Sequence, residues 1–122
     1  MKTLWQKVMA SISNWKLRRA KKVHNFLMKK GLALEKAGKY QEAIAWYEEV
    51  LKIDAKYPAA WSFKGAALLN LERFQEARDA FQKFIEFAPP EYEKYITEAK
   101  DLVRQIDKIK GVRDKKVGRE KV

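Results

Sequence analysis

The chain has no cysteine among its 122 residues. That excludes a disulfide framework and a thiolate metal site, and it leaves a reducing compartment open. Histidine occurs once, as His24. One imidazole cannot build a metal cluster, and Ser11, Ser13 and Ser62 have no second histidine to serve them as a base. No glycine-rich loop of the phosphate-cradling kind is present, and no apolar run approaches the ~20 residues needed to cross a bilayer. The expectation is a non-enzyme that carries no cofactor and no metal. Acidic residues are missing from one end: the first 34 positions hold Lys2, Lys7, Lys16, Arg18, Arg19, Lys21, Lys22, Lys29 and Lys30, and Glu35 is the first acid.

Hydrophobic residues make up 47% and charged residues 35% of the chain, a mix that suits a charged-surface helical protein of one domain. The net charge of +11 sits at the two ends, around a mildly acidic middle. Basic ends of this kind suit an anionic partner.

The middle repeats itself at a spacing of 34 residues. Lys30, Gly31, Ala33 and Leu34 recur as Lys64, Gly65, Ala67 and Leu68, and Gln41-Glu42-Ala43 recurs as Gln75-Glu76-Ala77. Tyr40 corresponds to Phe74, Tyr47 to Phe81 and Leu51 to Ile85. This period marks stacked supersecondary units. The residues resemble the tetratricopeptide repeat: Gly31, Ala43 and Tyr47 in one copy, and Trp61, Gly65, Ala77, Phe81 and Pro89 in the next, stand at that family's signature positions. Lys30 and Lys64 depart from its usual leucine, Leu34 and Leu68 from its tyrosine, and Leu27 from its tryptophan. The resemblance implies an all-α solenoid of antiparallel helix hairpins.

Residues 1–22 read as a separate basic amphipathic helix whose apolar face is Leu4, Trp5, Val8, Ile12 and Trp15, at spacings of three and four. Residues 23–110 form the repeat domain. Its first repeat is 24–57, with a helix beginning near His24 and a left-handed turn at Gly38. The second is 58–91, opened by Pro58 as a good first helical residue. A capping helix over 91–110 ends at Gly111, and 111–122 reads as a disordered charged tail.

The resemblance also implies a function, the binding of a protein or peptide in a concave groove lined by the first helix of each repeat. By position these residues are Asn25, Met28, Leu32, Glu35 and Lys36, then Ala59, Ser62, Ala66, Leu69 and Asn70. Family members that grip acidic chaperone C-termini use lysine, asparagine and arginine at set positions, and Met28, Leu32 and Phe63 replace three of these. The groove therefore suits the apolar face of an amphipathic helix, in an adaptor or scaffold. For residues 1–22 the expectations are a cap on the first repeat, exchange into a second copy as a homo-oligomer, or attachment to an anionic membrane surface. Nucleic acid ranks last, for want of a groove reader or stacking motif. The expected location is cytoplasmic, with membrane association as the alternative.

Overall fold

Local chemistry sets where each helix starts and stops. A computed structural model of the chain describes residues 3–120, with side chains at all of these except 13, 16, 17 and 110–120. Helix α1 spans Leu4–Lys36, α2 Tyr40–Ile53, α3 Pro58–Asn70 and α4 Phe74–Phe87; a 3-10 turn at Pro90–Tyr92 then leads into α5, Glu93–Glu120. No strand occurs among the described residues. Thr3 caps α1: its hydroxyl accepts from the Gln6 amide at 3.2 Å, while the Thr3 amide donates to Gln6 Oε1 at 2.9 Å. Two of the four orphan donors of a helix start are satisfied in this way. Pro58 stands in the first turn of α3, where its missing N–H costs nothing.

Both repeats turn between their helices by the same device. The Gly38 amide donates to the Glu35 carbonyl at 2.9 Å and the Lys39 amide to the Leu34 carbonyl at 2.8 Å. In the second repeat Glu72 donates to Leu69 and Arg73 to Leu68, each at 3.0 Å. This paired closure needs a left-handed residue just past the helix. Gly38 supplies it with φ 78°, and Glu72, its counterpart 34 residues on, does so with φ 58°. A side chain in that region costs about 1–2 kcal/mol, part of which glycine gives back through its freer unfolded chain. Glu72→Gly should therefore stabilise the protein by about 0.5–1 kcal/mol. A rise in the urea midpoint at unchanged slope would show it, and an unchanged or lower midpoint would refute it.

Each helix packs on its chain neighbour, α1 on α2, α2 on α3, α3 on α4 and α4 on α5. The core they share is led by Tyr47, Ile44, Val50, Leu68 and Ile106. Close approach within a repeat depends on glycine. A Cβ at Gly31 would lie 2.9 Å from Tyr47 Cδ1, and one at Gly65 would lie 2.8 Å from Phe81 Cε1. Ala99 stands 34 residues after Gly65 and is buried, so α5 continues the period as the third inner helix. Arg78 ties α4 to α5 through Asp107 at 2.6 Å.

Four sequence expectations need correction. There is no break at residues 22–23: α1 runs unbroken for 33 residues, roughly 50 Å, because Arg18-Arg19-Ala20-Lys21-Lys22 are good helix formers with no glycine or proline among them. His24 therefore lies inside a helix and does not begin one. Its ring is buried 4.8 Å from that of Tyr57, and its Nε2 lacks a hydrogen-bond partner. At the other end α5 passes through Gly111 and Gly118 to Glu120, since each glycine costs only ~1 kcal/mol and lysine and arginine favour helix. The tail expected over 111–122 is thus helical to 120, and positions 121–122 lie outside the described residues. Nor does the N-terminal segment cap the first repeat, as every described side chain from Thr3 to Arg19 is exposed.

Candidate functional site

The inner helices α1 and α3 each present one face to their repeat partner and an adjoining face to solvent. On the solvent side Leu32, Ala59, Ser62, Ala66 and Leu69 are half-buried, while Asn25, Lys36 and Asn70 are exposed. Asn70 Nδ2 donates to the Ala66 carbonyl one turn back at 3.0 Å, which holds the amide against the end of α3. Small and apolar side chains thus stand in the middle of this strip, with polar groups at its ends. Met28 departs from the expected set. It is buried in the core beside the residues that pack on α2, because an unbranched side chain at the margin of two faces can fold inward. Phe63 is half-buried with its ring 6.0 Å from Tyr47, so it too serves packing.

One acid lies among these groups. Glu35 is half-buried and accepts from the Tyr47 hydroxyl at 3.1 Å. Burial pushes its carboxyl above the usual range and outweighs the opposing pull of the Tyr47 hydrogen bond. The Tyr47 phenol is raised by burial and then by the Glu35 charge. The pair fixes the tyrosine ring against Gly31.

A second hollow, of about 250 Å³, lies over α2, α3 and α4 and is lined in part by Glu48, Trp61, Lys64, Arg73 and Glu76. Four of its charged side chains pair with one another. Lys64 meets Glu48 at 3.4 Å and lies 5.3 Å over the Trp61 ring, while Arg73 binds Glu76 and reaches back to Gln41 at 2.7 Å. Trp61 Nε1 donates to the Ala55 carbonyl at 2.8 Å. This is the seam between repeats. A cleft between α4 and α5 is lined by Gln82, Ile85, Lys100, Val103 and Arg104; the sequence reading missed α5 as a contributor, although Tyr95 and Ala99 follow Trp61 and Gly65 at the repeat spacing.

Of the signature residues, Gly31, Ala43, Tyr47, Gly65, Ala77 and Phe81 are buried, and Trp61 and Pro89 are half-buried. No group of three potential metal ligands occurs among the described residues, and none of their helices is long and apolar enough to cross a membrane. The N-terminal face stands apart from all of this: Leu4, Trp5, Val8, Ile12 and Trp15 are exposed. A family model described as tetratricopeptide repeat matches residues 34–106, more than half of the chain. It begins in the last turn of α1 and ends within α5. No curated protein matches the chain.

Proposed function

The chain belongs to the tetratricopeptide-repeat family, whose repeats mediate protein–protein interaction, and from that premise we propose that it is a non-catalytic adaptor holding a helical segment of its partner against α1 and α3. The observation that carries this reading is the half-buried strip of Leu32, Ser62, Ala66 and Leu69 between Asn25 and Asn70. An amphipathic helix would set its anchors three and four residues apart along such a strip. Side-chain amides at the rim, and the absence of a lysine–arginine clamp there, favour an apolar guest over an acidic peptide terminus. The exposed segment of residues 4–19 has no part in this reading.

Selection from a displayed library of amphipathic helical peptides tests it. Binders should depend on the strip: Leu32→Glu or Ala66→Glu should weaken them about tenfold or more, since one lost apolar side-chain contact is worth ~1.5–3 kcal/mol. Circular dichroism on the same variants checks that the fold is intact. Binders indifferent to both changes would place recognition elsewhere on the molecule.

A further inference from the structure

The first five turns of α1 leave a large apolar surface in water. Leu4 is 80%, Trp5 73% and Trp15 56% exposed. At 3.6 residues per turn, Leu4, Trp5, Val8, Ile12 and Trp15 share one broad stripe, which Val23 and Phe26 continue on the same side. The stripe does not extend the packing face of α1. His24, Met28 and Gly31 point toward the core roughly 150° further round the helix, so α2 cannot cover the stripe.

The stripe instead runs onto the open edge of the first repeat. Phe26 is 57% exposed, whereas Ala60, 34 residues later, is fully buried in the core. Lys30 lies over the Phe26 ring, whereas its counterpart Lys64 is ion-paired with Glu48 of α2. In the second repeat, then, this face is covered by the preceding helix. In the first it is bare.

Charge chooses the occupant. A second copy's α1 would set nine cations against nine, with no acid in the first 34 residues of either chain, a repulsion that opposes pairing. The stripe is also wider than the narrow seam by which two helices pair. Tryptophan favours the membrane–water boundary, and lysine and arginine favour an acidic leaflet. The Arg19 guanidinium sits 4.8 Å over the Trp15 ring. Trp15, Arg18, Arg19 and Lys22 together bound a shallow cleft of about 210 Å³, with an apolar floor and a cationic rim that match a phosphate headgroup above acyl chain.

We propose that residues 4–22 of α1 form an interfacial anchor for an anionic lipid bilayer, with Val23 and Phe26 at the open edge of the first repeat turned toward the same surface. The inner strip of α1 and α3 is not used, so this proposal stands or falls independently of the adaptor reading.

The test is co-sedimentation of the full chain with vesicles of phosphatidylcholine alone and of phosphatidylcholine with one third phosphatidylserine, at low and moderate salt. The chain should bind only the acidic vesicles, and less at the higher salt. Trp5→Ala/Trp15→Ala should reduce binding about tenfold or more. Arg18→Ala/Arg19→Ala should reduce it about twenty-five-fold, at fivefold per charge. All four side chains are exposed, so melting should not change in either variant. Failure to bind, equal binding to both vesicle types, or acidic binding that survives both variants would overturn the proposal. So would a dimer in analytical ultracentrifugation that Trp5→Ala/Trp15→Ala dissolves, or binding of an acidic amphipathic peptide by a chain that ignores vesicles.

Discussion

Gly31→Ala is expected to destabilise the protein by about 2 kcal/mol, the balance of an overpacking cost near the upper end of ~1–3 kcal/mol and a helix-propensity gain of ~1 kcal/mol. In an exposed helix the same substitution would stabilise. Here the new methyl would meet the edge of the Tyr47 ring, with Cδ1 at 2.9 Å and Cζ at 3.1 Å. That ring has nowhere to go: it is fully buried, and its hydroxyl is tied to Glu35. Gly65→Ala should cost less, because its nearest atom, Phe81 Cε1, lies at 2.8 Å on a ring with no hydrogen bond to break. For a domain of this size, 2 kcal/mol shifts the melting temperature by about 6–10 °C. The cause can be isolated with Tyr47→Leu, which opens space opposite residue 31, so that the double variant should be more stable than the sum of its parts. A melting temperature that rises in Gly31→Ala would mean that propensity outweighs packing, and that the close approach of α1 and α2 is not tight.

That contact also explains what the sequence could disclose. A glycine and an aromatic ring recur at one fixed separation, Gly31 with Tyr47 and Gly65 with Phe81, because two helices can cross closely only where one side chain is absent and a flat ring fills the gap. Necessity of that kind leaves a readable trace, and the hairpins of both repeats follow from it. Helix ends are weaker signals. A boundary after residue 22 and a stop at Gly111 are expected from the sequence, yet α1 runs through the first and α5 through the second, whereas a paired closure ends α1 at Gly38 and α3 at Glu72. Without such a closure, good helix formers simply continue. Inner-face positions are harder still. Met28 and Leu32 lie one turn apart, and the first is core while the second is half-exposed. The repeat frame assigns both to the groove; a flexible side chain at the margin is placed by its neighbours.

Removing α5 is expected to abolish cooperative unfolding, whereas removing residues 1–19 should move the melting temperature very little. What decides is not the length deleted, 28 residues for α5 against 19, but what each segment covers. Helix α5 buries Ala99, Val103 and Ile106 and half-buries Ile96 and Leu102. At ~1.5–3 kcal/mol for each large apolar side chain taken from water, their loss removes ~5 kcal/mol or more. It also bares the face of α4 around Ile85 and frees Arg78 from Asp107. Total stabilities of small domains are ~5–15 kcal/mol, so little would remain to hold two repeats together, and stacked arrays need ~3 units to bury a continuous core. By contrast every described side chain from Thr3 to Arg19 is exposed, so their removal takes nothing from the core. Thermal melts followed by circular dichroism would separate the two truncations. Equal melting behaviour would mean that α5 is an ornament on a self-sufficient pair of repeats. A large loss on removing residues 1–19 would mean that the stripe of Trp5 and Trp15 is covered in solution, and the occupant would then be the chain itself.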